Sequence, residues 1–138
     1  MINQLAHLNW LSVLAAFVPY FMLGALWFTV FFSKPYRLSL GKENEAPQKP
    51  APIFIIGPAM CMLVITIASA VLINALGITT ISGAIEFALV VGIGYLVANT
   101  VNIAINPNIP RPILYSIITG SYHLVCIILA CCILVAMK

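Results

Sequence analysis

His123 is one of two histidines in a chain of 138 residues, and it stands well inside an apolar run. An ionisable side chain at membrane depth is a functional candidate by default, and histidine titrates near neutral pH. A second polar set, Tyr95, Asn99 and Asn102, recurs at helical spacing in the preceding apolar run. Counted at about 1.5 Å per residue from the break at Pro107–Arg111, Tyr95 and His123 both lie roughly 15 Å in. Asn99 falls level with Gly120, and Asn102 level with Ser116.

Two readings of these residues stand side by side. In the first, Tyr95, Asn99, Asn102 and His123 hydrogen-bond to one another and fix helix register, each bond adding about 0.6–2 kcal/mol. In the second, His123 carries a proton or grips a ligand, and the asparagines line the path to it. Glu86, the single acid outside the polar loop, is a snorkelling carboxylate or an entry point for a proton or cation. No catalytic set is found: Ser/His/Asp and Cys/His groupings, the GxSxG turn and glycine-rich phosphate loops are all missing from the sequence. No metal set stands at ligand spacing around His123. The expectation is a non-enzymatic protein without a cofactor.

The elements that hold these groups must be membrane helices. Hydrophobic residues make up 63% of the chain and charged residues 7%, against about 25% charged in a soluble domain. Mean hydropathy is +1.13. A net charge of +3 is too small and too localised to suggest nucleic-acid binding. Helices satisfy their own backbone in hydrocarbon, and the apolar residues come in long blocks rather than the alternation of a barrel strand. The sequence therefore predicts one all-α membrane domain over 1–138, a four-helix bundle of two antiparallel hairpins. The expected spans are about 10–32, 52–76, 83–106 and 113–137, with a polar loop over 33–51.

The third span carries Ala84, Ala88 and Gly92 at small-xxx-small spacing. At 100° per residue these fall on the same side as Tyr95, Asn99, Asn102 and Asn106, so this whole side is expected to face other helices. Gly120 on the fourth span, and Gly24 and Trp27 on the first, are the matching packing positions. Cys61, Cys126, Cys131 and Cys132 all fall in apolar blocks without a CxxC pair, as expected of buried, reduced thiols acting as small hydrophobes. Residues 1–9 lack a basic n-region, so no cleaved signal peptide is expected.

Lys34, Arg37, Lys42, Lys49 and Arg111 all fall in the two connections on one side, against Lys138 on the other. The positive-inside bias places both connections in the cytoplasm and both termini outside the cell membrane. Lys34 and Arg37, flanking Tyr36, suit lipid headgroups. Partners beyond the bilayer are expected to be further copies of the chain or a larger membrane complex.

The stretches Asn9-Trp10-Leu11-Ser12-Val13-Leu14, Gly24-Ala25-Leu26-Trp27-Phe28 and Phe32-Ser33-Lys34-Pro35-Tyr36 resemble a family of small bacterial four-span membrane proteins of unknown function. Gly120-Ser121-Tyr122-His123-Leu124 is similar to that family's closing G-x-Y-H-L motif. Phe28 and Tyr36 depart from a pattern that tends to Tyr and Trp. The resemblance implies a four-span inner-membrane architecture, points to Trp27, Asn99 and His123, and names no activity. The functional expectation is a small transporter or channel-like protein with a polar intramembrane cluster. The alternative is a non-catalytic accessory or scaffold subunit.

Overall fold

The computed structural model describes residues 2–45 and 51–138, and it is helical throughout its ordered elements. Lys49, one of the five basic residues of the connections, lies outside the described residues. A short 3-10 turn, Ile2–His7, precedes α1, Trp10–Leu26, whose Asn9 cap accepts from the Leu11 and Ser12 amides. The first span continues through a π-helical segment, Trp27–Phe31, and a short helix α2, Ser33–Ser39, folds back beneath it. Then come α3, Ile53–Ala75; α4, Ile81–Val91; a second π segment, Gly92–Val97; α5, Ala98–Ala104; and α6, Pro112–Ala136. Among the described residues, four helices are long and apolar enough to cross a membrane: Trp10–Phe31, Ile53–Ala75, Ile81–Ala104 and Pro112–Ala136.

The fourth span is the axis, and the first and third pack most closely against it. Half of its most apolar stretch is buried, against about a fifth in each of the others. Tight packing follows from residue size, since lipid supplies no hydrophobic drive between helices. Gly24 is so close to the fourth span that a Cβ there would lie 2.7 Å from the Tyr122 hydroxyl. A Cβ on Gly92 would lie 2.9 Å from both Ile127 Cγ2 and Leu124 Cδ1. Ala84, Ala88 and Gly120 are likewise buried.

Both ends of the bundle are tied by polar contacts. At the end carrying the two polar connections, the Arg111 guanidinium donates to the Leu38 carbonyl at 3.0 Å and lies 3.5 Å from Glu43. The turn above α2 is made by Gly41 at φ 69°, against Pro110. At the opposite end the Asn9 amide donates to the Met137 carbonyl at 2.9 Å, and the Lys138 ammonium donates to that of Ile78 at 2.9 Å.

Two expectations are corrected by this packing. The side of the third span that holds Ala84, Ala88 and Gly92 does not continue into Tyr95, Asn99 and Asn102. Its buried continuation is Thr100 and Ala104, with Leu96 half-buried, while Tyr95, Asn99 and Asn102 face outward. The cause is the π segment, whose wider turn inserts one extra residue and rotates everything after it by about one position. Cys61 is exposed on the outside of α3, whereas Cys126 and Cys131 are buried in the bundle; all four thiols are free.

Candidate functional site

The groove around His123 is built by α3, α5 and α6. Met62, Thr66, Ser69, Ala70 and Ile73 give α3 a buried stripe from its middle onward. Its first turns find no such contact: Ile53, Phe54, Ile55 and Ile56 are all exposed. Beside this loosely held half lies a groove of about 200 Å³, lined by Ile65, Leu96, Asn99, Thr100, Ile103, Tyr115, Thr119 and His123. Ile103 and Tyr115 stand near the loop end. His123 is eleven positions into α6, about 16 Å along at 1.5 Å per residue. The groove therefore runs from the loop end to roughly mid-membrane.

Most polar groups of the spans are satisfied locally. The Thr100 hydroxyl donates to the Leu96 carbonyl at 2.8 Å, and Thr66 donates to Met62 at 2.8 Å. Thr119 and His123 differ. Thr119 is only 8% exposed, and among the described residues neither its Oγ1 nor His123 Nδ1 has a hydrogen-bond partner; the buried Tyr20 hydroxyl, outside the groove, is a third such group. A buried polar group without a partner costs about 1–3 kcal/mol. Both residues line the groove, so its wall holds two polar groups that the surrounding helices leave without a partner. Among the described residues, no Asp, Glu, Lys or Arg lines the groove, so it suits an uncharged hydrogen-bonding group attached to an apolar body.

Aromatic packing fixes the imidazole from behind. The Tyr122 ring centroid is 4.9 Å from that of His123, 5.1 Å from Phe28 and 6.2 Å from both Trp27 and Tyr20. Its hydroxyl donates to Met62 Sδ at 3.3 Å, so one side chain joins the first, second and fourth spans. Nearer the loop end, Phe28 packs on Tyr36 at 4.7 Å and Tyr36 on Tyr115 at 5.9 Å. Through Tyr115, α2 reaches the mouth of the groove.

Of the sequence candidates, the structure brings Asn99 and His123 to one groove. Tyr95, Asn102 and Ser116 are outside its lining, Tyr95 at 70% exposure on the outer surface. Glu86 is exposed one turn and a half into α4, toward the far end of the bundle. Trp27 is half-buried, and its indole N–H donates across to the Ile118 carbonyl at 3.0 Å. Lys34 is exposed beside the loop end, while Arg37 is half-buried and donates to the Lys42 and Glu45 carbonyls of its own loop. Among the described residues, no three His, Cys, Asp or Glu side chains gather into a set that could hold a metal ion.

Thr119, Tyr115, Thr100 and Tyr122 were missed by sequence reasoning. Thr119 stands four positions before His123 and so on the same helix face, a spacing that was available. Tyr122 owes its place to non-local packing, and its sequence signal was its position in the G-x-Y-H-L stretch.

No curated protein and no solved structure matches the chain. A family model does match, over residues 11–135, nearly the full length. The chain belongs to that family, DUF1761, described as a protein of unknown function.

Proposed function

We propose that the protein is a small non-enzymatic membrane carrier that holds an amphipathic solute with an uncharged head in the groove beside His123. The observation that supports this reading is the pair of unpartnered buried atoms, Thr119 Oγ1 and His123 Nδ1, in one groove. In this reading Thr119, His123 and Asn99 hydrogen-bond the head, and Ile65, Leu96 and Ile103 hold the apolar body. The solute enters sideways past the exposed first turns of α3. The far half of α6 is filled by Cys126, Ile127, Ala130, Cys131 and Leu134, which favours a carrier over an open pore. By the positive-inside rule the loop end faces the cytoplasm, with both termini outside the inner membrane.

The test uses the full chain in liposomes with a diazirine-bearing medium-chain alcohol as photoprobe. Labelling is expected at Ile65, Leu96 or Ile103, and it should fall about tenfold in His123→Leu, the loss of one hydrogen bond at roughly 1.4 kcal/mol per decade. Transbilayer movement of a fluorescent alkyl glycoside, read by dithionite quenching, should be faster with protein than without. Labelling spread evenly over the lipid-facing residues would overturn the site. Labelling in the groove without movement, with a larger membrane protein co-purifying, would make the chain an accessory subunit instead.

A further inference from the structure

We propose that the outward face of the third span, carrying Tyr95, Ala98, Asn99 and Asn102, is the surface on which a second copy of this chain packs. All four residues are exposed on the single chain. Tyr95 stands nine positions and Asn99 five positions before the end of the span at Ala104, about 13 Å and 7 Å by helical rise. A span of 24 residues is about 36 Å long, only slightly more than the ~30 Å hydrocarbon core. Tyr95 therefore lies about 10 Å inside the apolar layer, and Asn99 lies just inside it. Phenol and carboxamide at that depth require partners that acyl chains do not offer. Among the described residues, Thr100 and, just past the end of the span, Asn106 make side-chain hydrogen bonds, whereas Tyr95, Asn99 and Asn102 make none.

A copy of the same face meets that requirement. Each carboxamide carries both donor and acceptor, so asparagines facing each other across a two-fold axis satisfy one another. The same face permits close approach: Ala98 is small, and a Cβ on Gly94, four residues before it, would meet nothing within 4 Å. Gly94-x-x-x-Ala98 is the small-xxx-small spacing of close-packed membrane helices. The inward face of this span is already filled by the fourth. Asn99 belongs both to this face and to the groove lining, so the second copy also covers the groove's open flank on the third-span side.

The experiment is a dilution series of full-length chain, labelled with donor and acceptor dyes, in phosphatidylcholine–phosphatidylglycerol liposomes without added solute. Energy transfer is expected to follow a monomer–dimer curve. The Asn99→Leu/Asn102→Leu variant should weaken the dimer about tenfold or more, in keeping with the worth of interhelical hydrogen bonds in lipid. Ala98→Leu should weaken it by bulk alone, and Val18→Leu, at an exposed apolar position of the first span, should leave it unchanged. Should the double variant fail to fold, Ala98→Leu is read alone. A wild-type chain that stays monomeric at every density, a dimer indifferent to the Asn99/Asn102 and Ala98 changes, or stoichiometric recovery with a different chain would overturn the proposal. Dye transfer reads association without reference to solute, so its failure is distinct from failure of the carrier reading.

Discussion

The indole N–H of Trp27, in the π segment of the first span, donates to the main-chain carbonyl of Ile118 in the fourth at 3.0 Å. One bond thus joins the span that begins the bundle to its axis, next to Thr119 of the groove. Trp27→Phe keeps an aromatic ring against Phe32 and Tyr122 but removes the donor. Stability against denaturing detergent should drop by about 0.5–1.5 kcal/mol, read as a shift in the midpoint of SDS-induced helix loss.

Glycine substitutions should rank by what the added methyl meets. Gly24→Ala drives a Cβ to 2.7 Å from the Tyr122 hydroxyl and 3.1 Å from its ring. That ring is wedged among Tyr20, Trp27 and Phe28, so a cost of about 1–3 kcal/mol is expected. Gly92→Ala meets the Leu124 Cδ1 tip, which can turn aside, and Ile127 Cγ2, fixed on the branched carbon of a fully buried side chain, both at 2.9 Å, and should cost a comparable amount. Gly57→Ala finds Ile53 Cδ1 at 3.9 Å, an ordinary contact, and should be neutral. Detergent-unfolding midpoints of the three variants test the order.

Tyr36, outside the spans, is pushed up to about 12, first by burial and then by the neighbouring Tyr115. A raised value means that the fold favours the neutral phenol. Its contribution is complete below the ordinary value of 10.0 and is lost as pH climbs from there to about 12. Wild-type stability should therefore decline through that window, and Tyr36→Phe should flatten the decline. Equal slopes in the two proteins would contradict the burial of this phenol.

Much of the architecture was legible in the sequence. Four apolar blocks of spanning length gave four spans, because only helices satisfy backbone in hydrocarbon. Gly24, Ala84, Ala88, Gly92 and Gly120 marked where helices close on one another, because residue size governs approach. The polar face of the third span was misplaced because a uniform 100° per residue was carried across Gly92–Val97. A signal for the wider turn existed: Ala84, Ala88, Gly92, Leu96, Thr100 and Ala104 repeat every fourth residue, longer than the 3.6 of an α-helix. Glycine at positions 92 and 94 weakens the α-helical preference there. The groove itself was not legible, since it depends on α3 standing away from the bundle at its loop end.

The most direct test of the groove as a binding site is Thr119→Val, which keeps the side-chain shape and deletes the unpartnered hydroxyl. Stability should be unchanged or higher by up to about 1 kcal/mol, because a buried polar group without a partner is removed. Photolabelling by the medium-chain alcohol at Ile65, Leu96 or Ile103 should fall about tenfold in the same protein, the loss of one hydrogen bond to the ligand. Labelling equal to wild type, or a loss that only tracks unfolding, would contradict the assignment.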